Sequence, residues 1–287
     1  MTDSYYDKKV LSVSSVRQFA QNGARALDDW KGVYPFFENN DALLVGQYFH
    51  AGIQDFLTDS DKNVALLRNT TPELFAKTGK KGLLAKYVLA EHMVEIFSQS
   101  DIAVWIYKAL NNPDVFDGFV EQGLDGTVDK IAIKGKPDVF VADRKEKVVY
   151  AFDFKSSAKY NNDGYDWGED INGKRAFSSV AWHNDKLFPW QAGVYRELLR
   201  QNGYADYKIV YRYIVMTKEK EPRLDIWTIT DKAMDEGFKD FRVNLTLADA
   251  YIKGELEAPV VKDGSAWFNR RTQKTGNLLV ADAETSD

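Results

Sequence analysis

The chain has 287 residues, no cysteine, 44% hydrophobic and 28% charged residues, and a formal net charge of −5. Such a composition fits a soluble globular protein with one large core or two modest domains. It excludes disulfides, thiolate zinc sites and iron–sulfur clusters, so any metal must sit on carboxylate, carbonyl, imidazole or water. The acidic balance argues against a nucleic-acid coat protein but leaves room for an enzyme with a local positive channel.

The opening residues, Met1 to Val10, hold no apolar run of the secretory type, and no stretch is long enough to span a bilayer. A cytoplasmic location with no membrane partner is therefore expected. Ser12 or Ser14 is placed to cap a helix bearing Val16, Phe19, Ala20 and Leu27. Asp41 is placed to cap the next, with Leu44, Val45, Phe49, Ile53 and Phe56 at helical spacing. Gly32 to Asn40 and Asn69 to Gly82 read as loops, the second holding Lys77, Lys80 and Lys81. A helix from about Leu83 to Ser98 and a short one after Asp101 complete a helical region, residues 1–112.

The pattern then changes to period two. Phe116 to Leu124, Gly126 to Lys134, Pro137 to Ala142 and Val148 to Ser156 read as consecutive strands. Residues 157–181 are rich in Asn, Asp, Gly and Ser and read as a long loop, of the kind that is usually functional or disordered. A helix follows over Leu187 to Gln201, then strands Tyr207 to Thr217 and Arg223 to Ile229, then a helix from Asp231 to Lys253. The tail, 255–287, shows no clear element; it holds Arg270, Arg271 and Lys274. The order implies one integrated α/β domain: the helical region over residues 1–112, a core of strands and helices over residues 113–254, and the tail.

The chemistry concentrates in two neighbouring strands. Asp153 and Lys155 are two residues apart, so they share one face, while Phe152 and Phe154 take the other. Two opposite charges on an apolar strand are costly unless they serve each other or a ligand. Asp138, in Gly135-Lys136-Pro137-Asp138, lies on the partner strand. Converging carboxylates suit a hard divalent cation such as Mg²⁺, and such a cation with an adjacent lysine suits phosphodiester hydrolysis. Asp-x-Lys by itself is also what an exposed ion pair looks like.

Around this pair stand Gly46-Gln47-Tyr48-Phe49-His50 on a predicted helix and Gln191-Ala192-Gly193-Val194-Tyr195 on another. With Pro137-Asp138 and Asp153-Phe154-Lys155, the set resembles the PD-(D/E)XK nuclease superfamily, and within it the RecB-type and RecE-type phage recombination exonucleases. The resemblance covers roughly residues 5–230, including the opening Tyr5-Tyr6-Asp7 to Leu11-Ser12. It implies a restriction-endonuclease-like α/β fold with a central mixed, mainly antiparallel sheet flanked by helices. It implies Mg²⁺, replaceable by Mn²⁺, held by His50, Asp138, Asp153 and the Phe154 backbone carbonyl, with Glu121 as a further ligand. Catalytic roles fall on Asp138, Asp153, Lys155, Gln191 and Tyr195, and DNA contacts on Gln191, Tyr195, Arg196 and Ser156.

Each assignment has a plainer counterpart. His50 is matched by rivals His92 and His183; Tyr195 can be ordinary helix packing; Arg196 and Arg200 can be a solvated face; Ser156 can simply end a strand. No Gly-x-x-x-x-Gly-Lys-Ser/Thr phosphate loop is present, so no nucleotide cofactor and no motor are expected. The resemblance further implies a phage or prophage exonuclease acting on double-stranded DNA ends, 5′ to 3′, as a homo-oligomeric ring. Its expected companion is a RecT-type single-strand annealing protein. The alternatives are an endonuclease or flap or single-strand nuclease of the same fold, and a catalytically inactive DNA-binding protein.

Overall fold

The computed structural model describes residues 9–36, 41–77, 82–157, 164–169, 175–180, 187–262 and 265–274. In chain order these form β1 (Leu11–Ser12), α1 (Val13–Gln21), α2 (Gly23–Trp30), α3 (Asp41–Leu57), α4 (Lys62–Thr70), α5 (Ala85–Ser98) and α6 (Asp101–Leu110). Strands β2 (Phe116–Val120), β3 (Leu124–Val128), β4 (Ile131–Gly135), β5 (Val139–Asp143), β6 (Val148–Ser157), β7 (Gly164–Glu169) and β8 (Arg175–Val180) follow. The chain continues with α7 (Leu187–Leu199), β9 (Lys208–Thr217), β10 (Leu224–Ile229), α8 (Asp231–Lys253) and α9 (Ala266–Lys274). No helix among the described residues is long and apolar enough to cross a membrane.

The described chain divides into two compact units. The larger spans residues 41–240 and is built on a five-stranded sheet of order β10-β9-β6-β5-β2. The β6–β9 pair is parallel and the other three pairs are antiparallel. The sheet is thus mixed and mainly antiparallel, with helices on its faces, as a restriction-endonuclease-like α/β fold requires. Strand alternation sorts its two faces. Val139, Val141, Phe152, Phe154, Ile214 and Met216 turn into one core with Tyr48, Phe49 and Ile53 of α3, Tyr87, Met93 and Phe97 of α5, and Ile106 of α6. Asp153 and Lys155 are therefore left on the opposite face, toward α7, whose Ala192, Val194, Tyr195 and Leu198 are buried.

The hairpin β3–β4 meets α7 by close approach. A Cβ on Gly135 would stand 2.6 Å from the Tyr195 ring, and one on Gly126 would stand 2.7 Å from Leu198. After α7 the helix widens into a π-type turn, Arg200–Tyr204. From it the Gln201 amide both accepts from Thr127 N and donates to Thr127 O, each at 2.9 Å. Asn202 Nδ2 donates to Asp125 O at 2.9 Å. These side chains occupy backbone groups of β3 that its partner β4 does not use.

The smaller unit gathers residues 11–36 with those from Phe241 onward. Ser12 caps α1 through a reciprocal pair with Ser15: Ser15 N donates to Ser12 Oγ at 3.2 Å and Ser12 N to Ser15 Oγ at 2.7 Å. Asn22 ends α1 in extended backbone and caps α2, taking Arg25 N at 3.2 Å. The C-terminal segment returns to α2: Ala24 N donates to Pro259 O at 3.0 Å, and Trp267 Nε1 to Asp28 Oδ2 at 2.7 Å.

Five expectations need correction. The single helix through Val16 and Leu27 is two, because Asn22 leaves helical backbone and supplies a new cap. The stretch Gly126 to Lys134 is a hairpin rather than one strand, since Asp129 and Lys130 both take left-handed φ, 50° and 69°, and turn the chain. The reading of Asn69 to Gly82 as loop adjoins an α4 that the sequence pattern does not predict. Residues 157–181 contain the antiparallel pair β7–β8. The tail contains α9. Lys80, Lys81 and His183 lie outside the described residues.

Candidate active site

The candidate side chains converge from several elements, with Asp153 and Lys155 on the same strand, β6. Asp138 immediately precedes β5, and its carboxylate Oδ2 accepts the Phe154 backbone N–H at 2.6 Å. That bond fixes it beside β6, where Asp153 is buried at 2% exposure. Asp153 Oδ1 accepts Gln191 Nε2 from α7 at 2.6 Å. Asp153 Oδ2 forms an ion pair with Lys155 Nζ but accepts no properly directed hydrogen bond. From α3, His50 Nδ1 stands 3.5 Å from Asp138 Oδ2.

Glu121 follows β2 directly with φ 54°, a left-handed residue whose own N–H donates to Asp138 O at 2.9 Å. This turn swings its carboxylate inward, where Oε2 meets Lys136 Nζ at 2.7 Å. One ligand-type atom from each of His50, Glu121 and Asp138 lies within 4.8 Å of the other two. The cluster is asymmetric in charge: three carboxylates and one imidazole face two ammonium groups.

That crowding has electrostatic consequences. Burial first, then the Asp153 charge, push the Asp138 carboxyl well above its ordinary value. His50 moves the other way, from 6.5 to about 4, first through burial and then through the Lys155 ammonium. It is neutral at physiological pH and presents a lone pair. The buried phenols of Tyr211 and Tyr213 are pushed well above 10 by burial and Asp153, and remain hydrogen-bond donors.

The His50 shift carries a test. Its folded pKa lies below the unfolded one, so the stability it contributes is full above pH 6.5 and is lost as pH falls toward about 4. His50→Gln in chelator is expected to flatten the acid limb of stability across that window. Thermal melts of both proteins at matched pH check it, and parallel acid limbs would show that the ring titrates as in water.

A divalent cation fits this arrangement. The buried Asp153 oxygen that accepts no hydrogen bond and the carboxyl of Asp138, destabilised as an anion by its neighbours, both gain from a nearby positive charge. All-oxygen donors with one neutral imidazole are the set a hard cation takes. His50, Glu121 and Asp138, whose ligand atoms lie within 4.8 Å of one another, could hold it, with buried Asp153 next to them.

A family model described as a PDDEXK-like domain of unknown function (DUF3799) matches residues 12–261. The chain belongs to this PDDEXK-like family. The crystal structure of "Putative exonuclease" from Eubacterium rectale superposes at a TM-score of 0.71 and 20% identity, over 94% of this chain and 91% of that one, and so shares the fold. The structure of SSO0001 aligns over 88% and 79% of the two chains at 11% identity, with a TM-score of 0.36. No curated protein matches. Membership of the PDDEXK-like family supports a nuclease, and the cluster of His50, Glu121 and Asp138 accords with the divalent-metal dependence typical of such enzymes.

The remaining assignments sort by geometry. The PDDEXK-like site brings His50, Asp138, Asp153, Lys155, Gln191 and Glu121 together. Ser156 lies against Gly46, where an added Cβ would be 3.8 Å from its Oγ. Tyr195 is 8% exposed, its ring packed on Gly135 and 6.0 Å from that of Tyr211. Arg196 corrects an expectation: its side chain is 8% exposed, and its guanidinium pairs with Asp235 and lies 4.0 Å from Asp231. Two acidic residues one turn apart on α8 hold it, so it fastens α7 to α8 rather than offering a free phosphate contact. His92 is far from this role, exposed on α5 beside Glu95 at 3.3 Å. Lys136 is a site residue that no motif singles out; its place between Gly135 and Pro137-Asp138 is the only signal that it belongs to the same turn as the first carboxylate.

Proposed function

We propose that this protein is a Mg²⁺-dependent deoxyribonuclease that degrades one strand of linear duplex DNA from an end, 5′ to 3′, supplying single strands for phage-type recombination. Mn²⁺ is expected to substitute. The observation that carries the reading is the convergence of His50, Glu121 and Asp138 within 4.8 Å, beside the paired Asp153 and Lys155. The fold it shares with the E. rectale "Putative exonuclease" is in keeping with end-dependent cutting. A homo-oligomeric ring on the duplex and a RecT-type annealing partner complete the proposal.

The cation, when bound, supplies Lewis-acid polarisation of the phosphoryl group and neutralises charge on it. The chain's own residues do the rest. Gln191 holds Asp153 by one oxygen and leaves the other directed toward Lys155. The Lys155 ammonium, about one-third exposed, can donate to the oxygen that gains charge as the phosphodiester is attacked or orient the attacking water. Neutral His50 adds a donor atom without adding charge. The phosphodiester bond breaks to a phosphate monoester and a free hydroxyl, with water as the co-substrate.

The test uses purified protein with Mg²⁺ and matched linear and covalently closed circular duplexes, the linear form 5′- or 3′-labelled. Loss of mononucleotides from the 5′ end of the linear form alone, abolished by chelator, is the expected result. Equal cutting of closed circles would instead assign an endonuclease of the same fold. Absence of hydrolysis on any DNA, together with DNA binding, would assign a binding protein.

A further inference from the structure

We propose that Tyr213 is a positioning residue of this site, orienting both Gln191 and Lys155 around Asp153. The inference rests on the nuclease reading for its kinetic consequence, but its geometry is independent of it. No motif marks Tyr213 within Tyr211-Arg212-Tyr213-Ile214. It is the parallel register of β6 and β9 that matters: Asp153 lies opposite Tyr213, so both side chains take the same face.

Tyr213 is fully buried. Its ring is wedged between Phe188, 4.7 Å away at 67°, and Tyr211, 5.3 Å away at 62°. A ring held this way presents its hydroxyl in one place. The O–H carries one hydrogen, which two acceptors share: Phe188 O at 2.9 Å and Gln191 Oε1 at 3.3 Å. A glutamine amide has two chemically opposite ends, and only the NH₂ end can serve the carboxylate at 2.6 Å. A donor placed against the other end selects that orientation. A half-turn of the amide would set its oxygen against Asp153 and its NH₂ against the Tyr213 hydrogen.

The same ring also faces Lys155, whose Nζ stands 5.7 Å from its centroid. An ammonium within about 6 Å of an aromatic face is attracted to it. One buried side chain therefore touches the two groups that flank Asp153, from the strand next to the one that bears it. Tyr213 itself contacts no reacting atom; it acts through Gln191 and Lys155.

A double-mutant cycle distinguishes this from ordinary packing. Wild type, Tyr213→Phe, Gln191→Ala and the double variant are compared on linear duplex with Mg²⁺, below the lowest of the four melting midpoints. Tyr213→Phe keeps the ring and is expected to lower kcat about 10-fold, the scale for groups that orient a metal site's ligands, with KM for DNA little changed. The double variant should be no slower than Gln191→Ala, because the hydroxyl has nothing left to orient. Independent, multiplying losses would overturn the proposal.

A second readout needs no turnover. The Gln191 side-chain NH₂ resonances, assigned by their loss in Gln191→Ala, should be sharp and slowly exchanging in wild type and averaged in Tyr213→Phe. Unchanged amide signals in Tyr213→Phe would overturn the proposal even for a protein without nuclease activity. Inactive wild type with an amide that loosens in Tyr213→Phe would instead retire the nuclease reading and keep the positioning role.

Discussion

Asp138→Asn is expected to remove nearly all hydrolysis while melting at or above the wild-type temperature in chelator. The carboxyl of Asp138 is held well above its ordinary value by burial, Asp153 and Glu121. A group whose folded pKa is raised contributes stability below its unfolded pKa and loses it as pH rises through the folded value. At neutral pH the free acid therefore carries a penalty that a neutral isostere does not. Asparagine Oδ1 can still accept the Phe154 N–H, so the local bond survives. Each kcal/mol relieved raises the midpoint by roughly 2–4 °C for a chain of this size.

The catalytic cost runs the other way. Loss of a charged ligand removes the anchor of the cation and the polarisation it supplies, a fall of about 10²–10³-fold or more in rate. Melts in chelator and in Mg²⁺, with turnover on linear duplex, measure both halves. Wild-type protein should gain stability from Mg²⁺ and Asp138→Asn should not. A variant that keeps half the activity, or melts well below wild type in chelator, would sink the assignment of Asp138 to the metal.

Gly237→Ala is expected to destabilise although alanine is the better helix former. In an open helix the change would gain about 1 kcal/mol. Here an added Cβ would stand 2.3 Å from the Pro189 carbonyl carbon and 2.5 Å from its oxygen, both backbone atoms. Gly193 repeats the arrangement from α7, where a Cβ would meet Met234 O at 2.5 Å. The two helices touch main chain to main chain, so neither can yield by rotating a side chain. Overpacking of this kind costs about 1–3 kcal/mol, and rigid neighbours place it at the upper end.

The damage should reach the chemistry. Pro189 is two residues before Gln191, so separating α7 from α8 moves the amide away from Asp153. A displacement of about 1 Å in a positioned group can cost on the order of 10²-fold in rate. Chemical denaturation at constant slope and single-turnover rates below the midpoint test both effects. A Gly237→Ala protein more stable than wild type would show that the helices do not approach this closely.

Much of this site could be read from one sequence because its residues obey local periodicities. Asp153 and Lys155 share a face by strand alternation, and Gly46 with His50 and Gln191 with Tyr195 share faces by the helical turn. What periodicity cannot carry is the partner. Arg196 reads as a free basic group until α8 brings Asp231 and Asp235 to it from about 40 residues on. Tyr213 reads as core until the parallel pairing of β6 with β9 sets it opposite Asp153.

The fold shows the same division. The helix Asp231–Lys253 has the span its pattern predicts. The break at Asn22 and the turn at Asp129-Lys130 escape the pattern because each depends on one or two backbone angles rather than on a repeat. Packing of the C-terminal segment on α2, with Trp267 bonded to Asp28 across 239 positions, leaves no local trace at all.

The bonds from Gln201 and Asn202 to β3 also set an order of events. The hairpin β3–β4 can form from adjacent residues as soon as they exist, but Thr127 obtains its amide partner only from a residue 74 positions later. Until α7 docks, a growing or refolding chain presents that strand with bare N–H and C=O groups, the surface onto which another extended chain can add. The finished protein has closed this opening with side chains alone. The vulnerability of this one edge to misassembly is therefore confined to the interval between synthesis of the hairpin and arrival of the helix that bears Gln191.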